Sequence, residues 1–437
     1  MAVLGIDNTA PFNRCDSDLL EKAKVKSLLH KAVDDGKATG IISTTRVTHA
    51  TPAALYAHIQ NRDWEADNDI PSQFRGQGCH DIAKQLVYSE IGKKVNLVFG
   101  GGRKKFLTQA EGGERSDENL VDAWKRIKEE SGEEFDVLLT KKDLNRWTHT
   151  DFTLVLFGQS ELQYVADREE ESTEEPSLDL MTKEAIHRLK RNPKGFFLMV
   201  EGALIDYAHH KNWPKKAFEE TLELEKAVSV ALDLTDEKET LIVVTADHSH
   251  AMTINGYPDR GHSIFGKKKT QTSLDSWTPF IMIFIWFQGY TYNEPRELWN
   301  AQDDGSRAAW STISYANGIG FWDHFTNDSS KPWRDIREMD FNDKDYRAPA
   351  MLPPADEYET HSGEDVPMLS NGPWSHLLTG VHEQTYITHA IEYAFGWSRI
   401  SSFDSNGPGS GQQAVQGNGL SMIILLTLWT ILYKTRA

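Results

Sequence analysis

Residues 196–210 read FFLMVEGALIDYAHH, and this stretch decides the fold. Its first five residues form an apolar run without alternation, the pattern of a strand buried on both faces. Glu201 stands where that strand ends. Asp206 and His210 follow four residues apart, so one helical turn places both on the same side. A buried strand that ends in a carboxylate and runs into a helix is a building unit of a parallel α/β sheet, where ligands bind beyond the carboxyl ends of the strands.

Working outward, residues 39–46 (TGIISTTR), 95–99 (VNLVF), 241–245 (LIVVT) and 280–287 (FIMIFIWF) read as further buried strands. Helical stretches lie between them. One covers 17–34, with Asp16 or Ser17 as its cap, and another 178–191. A third covers 214–232, with Ala217, Thr221, Leu224, Val228 and Ala231 along one face. The expectation is an α/β domain over residues 1–400, its largely parallel sheet covered by helices on both faces. Residues 258–359 differ: they hold Trp277, Trp286, Trp299, Trp310, Trp322 and Trp333 with little periodicity, and predict an irregular insertion with a small β element. The acidic run 167–176 reads as a solvated loop.

Composition narrows the function. A 39% hydrophobic and 26% charged chain of 437 residues is globular, neither disordered nor a coiled coil. Its net charge of −18 excludes a nucleic-acid coat, because basic surfaces supply most of that affinity. Two cysteines cannot build a disulfide scaffold or an all-cysteine zinc site, whereas 16 His beside many Asp suit a His/carboxylate metal centre. Cys15 and Cys79 can pair in an oxidising compartment or stand as separate thiols, and their spacing does not decide between these. Asn327 heads a glycosylation sequon with Ser329.

The polar candidates gather at strand exits. Glu201, Asp206 and His210 follow one strand, Asp247 and His248 a second, and His49 and Thr51 a third, while His361 lies far downstream. Oxygen-plus-imidazole sets suit Zn2+ and oxygen-only sets suit Mg2+. Two metals about 4 Å apart clamp the attacking and leaving oxygens of a phosphoryl group. Arg62 can bind phosphate bidentately.

Eight motifs carry a family resemblance: TTRVTHATPA (44–53), NRDW (61–64), GCHDIA (78–83), VFGGGRK (98–104), NPKGFFLMVEG (192–202), VTADHSH (244–250), GYPDRG (256–261) and ETHSGEDV (359–366). From about Phe12 to Trp397 the chain resembles animal alkaline phosphatases. The resemblance implies a homodimeric enzyme with two Zn2+ and one Mg2+ that hydrolyses phosphate monoesters through a phosphoserine. It implies Asp206, His210 and His361 as ligands of the first zinc and Asp247 and His248 of the second. Glu201 and Thr51 then hold magnesium, His49 supports that site from behind, and Arg62 binds phosphate. Cys15 and Cys79 match a family disulfide, and the stretch 258–359 a crown-like insertion.

The departures carry expectations of their own. The family's Asp-Ser-Ala nucleophile motif does not occur, nor does the upstream Asp that bridges the second zinc and magnesium. Asp16-Ser17-Asp18, Asp275-Ser276-Trp277 and Asp404-Ser405-Asn406 stand elsewhere. The chain as given is therefore expected to be inactive, with a central strand missing and a sheet edge exposed. Tyr207 stands where relatives usually have His, which alters packing near the first zinc. The loop after GGGRK is short and Gly158 stands where a Glu is usual, so Ca2+ is not expected.

No leader is read after Met1, while residues 405–419 are small and polar and 420–433 apolar. Fourteen apolar-leaning residues fall short of the roughly 20 of a spanning helix. They match a GPI signal, with Ser405 or Asn406 as attachment point; a short anchor stopped by Lys434 and Arg436 is the alternative. The expected domains are thus 1–400, a 401–419 linker and a 420–437 tail. The expected location is the outer face of the plasma membrane, with the true start upstream of Met1. A membrane-tethered metal-binding relative without turnover, and a related sulfatase or phosphodiesterase, are the competing functions.

Overall fold

The computed structural model describes residues 3–168, 174–255, 311–329, 333–334, 339–354, 356–397 and 421–427. Its frame is an eight-stranded sheet of β1 (Ala38–Arg46), β2 (Leu97–Gly101), β3 (Phe135–Leu138), β4 (Phe152–Leu156), β5 (Phe196–Gly202), β6 (Thr240–Thr245), β12 (Met368–Asn371) and β13 (Ser421–Thr427). The spatial order is β12-β6-β13-β5-β1-β2-β4-β3. Every pairing is parallel except the edge strand β12, which runs antiparallel to β6.

Side chains alternate into two cores. Ile41, Val98, Phe197, Met199, Val243 and Met422 enter the layer formed with α2 (Leu28–Asp34), α4 (Ile82–Tyr88) and α5 (Leu120–Glu130). Ile42, Phe99, Leu198, Val200, Ile242 and Ile423 enter the layer formed with α7 (Leu178–Leu189) and α9 (Pro214–Leu234). Both faces are apolar because both are covered, as the runs without alternation predict.

Two expectations change. The helix read over 17–34 is two helices, α1 (Ser17–Ala23) and α2. Between them Val25 N–H bonds to the Gly5 carbonyl, and Ser27 caps α2 in a capping box with His30. Backbone that pairs with a neighbouring segment cannot also carry the helical ladder. The second change is larger: no sheet edge opens at the centre. Residues 421–427, read as part of a tail outside the domain, form β13 between β5 and β6. An apolar segment fits there because both faces of that position are buried.

Cys15 and Cys79 form a disulfide, with Cα atoms 5.8 Å apart. From the insertion, β9 (Ile313–Asn317) and β10 (Ala350–Leu352) build a three-stranded sheet with β8 (Met252–Ile254). Asn327 is exposed. The strand read over 280–287, the GYPDRG motif, the 401–419 linker, and Ser405 and Asn406 lie outside the described residues.

Candidate metal centre

The exits of β1, β5 and β6 lie at the same end of the sheet, β1 beside β5 and β6 one strand further, across β13. Beyond β5, helix α8 (Leu204–His210) carries Asp206 and His210 one turn apart. Beyond β6, the two-residue strand β7 (Ser249–His250) pairs antiparallel with β11 (His361–Ser362), in the register His250 to His361. That short ladder brings a histidine from far along the chain to the end of β6.

Asp206 is the hub. Its Oδ1 lies 2.8 Å from His250 Nε2, 3.2 Å from His210 Nε2 and 3.4 Å from His361 Nε2. The Nε2 atoms of His210 and His361 are 3.1 Å apart. Rings of His248 and His361 stack with centroids 3.5 Å apart. Burial disfavours the charged carboxylate of Asp206, but hydrogen bonds from His210, His250 and His361 override it and hold its pKa well below the usual range.

His250 was not singled out from the sequence, nor was Glu359. Burial lowers the pKa of His250, yet Asp206 at Nε2 and Glu359 at Nδ1, 2.7 Å away, push it up to about 9. Glu359 is fully buried; it also accepts from Ala251 N–H at 2.6 Å, and its own carbonyl lies 2.6 Å from His210 Nδ1. Both residues sat inside quoted motifs, VTADHSH and ETHSGEDV. What hid them was distance along the chain: Glu359 acts on His250 and His210 only once β7 and β11 pair.

Among the described residues, two overlapping groups could hold a metal ion. One is Asp206, His248, His250 and His361, and the other is His210, His250 and Glu359. Imidazole nitrogens with one carboxylate make a zinc-type donor set. Asp247 stands at the rim, about half exposed, its Oδ2 3.3 Å from His248 Nε2.

Glu201 faces the same region from β5. Its carboxylate accepts from Ser43 Oγ at 2.5 Å and from the Thr51 hydroxyl. Burial, helped by the charges of Asp247 and Asp206, nevertheless pushes its pKa up to about 7. Three carboxylates gathered this way repel one another, which is the electrostatic setting a divalent cation relieves.

Across from them, Arg62 donates to His49 Nε2 at 3.0 Å. His49 is the neutral acceptor this needs, because burial and then the charges of Arg46 and Arg62 lower its pKa to about 4. Tyr207 Oη lies 3.4 Å from the same ring nitrogen and 3.4 Å from Arg46. Arg46 is itself held by Glu65 and Glu161. The sequence candidates at the three exits therefore converge on one region.

A covered parallel sheet with His/Asp groups at its strand ends and an arginine opposite defines a metal-assisted hydrolase class. Residues 1–397 match the sequence profile of the alkaline phosphatase family. The tissue-nonspecific alkaline phosphatase of Homo sapiens is 36% identical over 406 residues, covering 90% of this chain and 69% of that protein. The membrane-bound alkaline phosphatase of Bombyx mori is 35% identical over 402 residues, covering 90% of this chain and 66% of its own. Among solved structures, a histidine-to-glutamate mutant of TAB5 alkaline phosphatase with bound magnesium superposes at TM-score 0.55. That likeness, at 18% identity over 91% of this chain and 80% of the other, is one of fold. The chain belongs to the alkaline phosphatase family, the phosphate monoester hydrolases.

Proposed function

We propose that this centre binds zinc through Asp206, His210 and His361, with Asp247 and His248 serving a second zinc and Glu201 and Thr51 a magnesium ion. The observation that carries this is the meeting of His210, His250 and His361 on one oxygen of Asp206. Bound metal supplies positive charge that polarises a phosphoryl group. The chain's own residues do the rest. Arg62 offers two N–H groups to the non-bridging oxygens of a phosphate monoester, and His49 fixes its orientation. Glu359 orients His250, which in turn orients Asp206. Calcium has no role in this reading, since Gly158 stands where the family usually has a Glu.

The sequence contains no Asp-Ser-Ala, so turnover by this polypeptide is expected to fall well below that of a family member that has one. A homodimer, glycosylation at Asn327, and membrane attachment through a lipid anchor at Ser405 or Asn406, with residues 420–437 as its signal, complete the proposal. The membrane-bound relative and the apolar tail support the last of these.

The test is metal analysis of the purified chain together with p-nitrophenyl phosphate hydrolysis at alkaline pH. Bound zinc with weak turnover is the expected outcome, and it also favours the second reading, a metal-binding relative. Turnover equal to that of an intact relative overturns the nucleophile argument, and absence of bound zinc overturns the metal assignment.

A further inference from the structure

Two neighbouring hydroxyls near the exit of β1 reach the metal centre from behind. Ser43 is 0% exposed and Thr44 1%. Successive side chains on a strand point to opposite faces. Ser43 therefore lies on the face of Ile41 and Met199, and Thr44 on the face of Ile42, where Ile205 of α8 also packs. We propose that both are positioning residues: Ser43 sets the direction of the Glu201 carboxylate, and Thr44 sets the start of the helix that carries Asp206 and His210. The cations assigned to these ligands rest on the metal reading given above.

Strand register builds the first arm. Ser43 stands opposite Glu201 at the last pair of an unbroken parallel ladder between β1 and β5. A serine hydroxyl carries one proton and accepts as well. Thr45 N–H fills the accepting side at 3.0 Å, and the proton goes to Glu201 Oε2. The donor that meets the carboxylate is thus itself oriented by backbone. A carboxylate on a flexible stem can rotate, and a fixed donor removes that freedom before a cation arrives.

The second arm replaces a missing cap. Ala203 precedes α8 and gives it no side-chain cap. The first N–H groups of a helix have no partner inside it. Leu204 N–H, the first of α8, donates instead to Thr44 Oγ1 at 3.2 Å. Thr44 is held in turn through its carbonyl, which accepts from Leu162 N–H at 2.9 Å. Asp206 and His210 ride on the same short helix, so a shift at Leu204 moves both. The two arms act on different ligands, Glu201 of the magnesium reading and Asp206 with His210 of the zinc reading. Because Ser43 and Thr44 are consecutive on one strand, a single stretch of backbone sets both.

The experiment uses the full chain with Ser43→Ala and, separately, Thr44→Val. Mn2+, a paramagnetic stand-in for Mg2+, is titrated by electron paramagnetic resonance, and Zn2+ by competition with a chromogenic chelator. Ser43→Ala is expected to weaken Mn2+ about tenfold with zinc affinity unchanged, and Thr44→Val to weaken zinc about tenfold with Mn2+ affinity unchanged. Thr44→Ser, which keeps the hydroxyl, is expected to restore zinc affinity. A general loss of packing lowers both affinities together, so the crossed pattern separates positioning from a merely structural role. Ser43→Cys and Thr44→Ala serve if the first variants do not fold. Equal losses for both ions, no loss for either, or a Thr44→Ser variant as weak as Thr44→Val overturns the proposal and leaves the metal reading in place. Parent protein that fails to bind both ions overturns the metal reading, and the proposal with it.

Discussion

On one side of β1 the sheet continues as β2, β4 and β3, strands drawn from residues 97–156. On the other it continues as β5, β13, β6 and β12, drawn from residues 196–427 and out of chain order. The first half is local, and a disulfide and a buried ion pair tie the segments around it together within residues 15–117. The second half is long-range, and it carries the donor atoms. Strands distant in sequence end beside one another there, so each can deliver a different side chain to one place. The cost is contacts that close long loops. Chemistry therefore collects where the chain had to return, and structural redundancy where it did not.

Four measurements can break or sharpen this contrast. The largest expected effect is on stability, in the local half. Arg115 is fully buried and binds both oxygens of Asp81, at 2.9 and 3.0 Å. Asp81→Ala removes the buried one of Arg115's two carboxylate partners, leaving only the part-exposed Asp117, and also the N-cap of α4; it is expected to cost about 3–5 kcal/mol in urea unfolding, with little change in the metal affinity of refolded protein. A loss of metal affinity as large as the loss of stability would join the two halves into one unit.

Next comes the hub of the long-range half. Asp206→Ala is expected to weaken zinc binding by more than about 100-fold, because removal of a group behind the ligands already costs about 10–100-fold. Isothermal titration with zinc checks this, and unchanged affinity would remove Asp206 from the site. Glu359→Gln keeps the volume but weakens the hold on His250, and about 10–100-fold weaker zinc binding is expected. Unchanged affinity with lowered melting temperature would make Glu359 a purely structural residue.

The smallest effect is a pH dependence away from both. Burial, then the charge of Glu223, pushes the buried Glu220 carboxyl up to about 8 from a usual 4.5. The folded state thus retains a proton that the unfolded chain gives up, so stability falls as pH rises from about 4.5 through 8. Glu220→Gln removes that loss. The melting temperature of the variant relative to the parent is expected to rise between pH 5 and 8 and to level above 9. Parallel pH curves would refute the assignment.

Much of this was legible in the sequence. The runs at 39–46, 196–200 and 241–245 announce β1, β5 and β6, because a strand buried on both faces leaves an uninterrupted apolar signature. The polar residues just beyond them announce the region of the site. Less visible were β3 and β4, four and five residues long, and α5, whose charged face hides its apolar one. His250 and Glu359 were in view but without a role, since nothing local says that a histidine two residues past His248 meets a glutamate more than 100 residues away.

By itself, then, the sequence determined the α/β class, the two-sided burial of the strands and the acidic and imidazole chemistry at their ends. These depend on periodicity and residue type, which are local properties. Only the tertiary structure decided that His210, His250 and His361 share Asp206, that Glu359 stands behind them, and that an apolar segment read as a tail lies in the centre of the sheet. Those outcomes depend on which hydrogen-bonding edges and apolar faces remain unfilled when distant parts of the chain meet, and no local pattern records that.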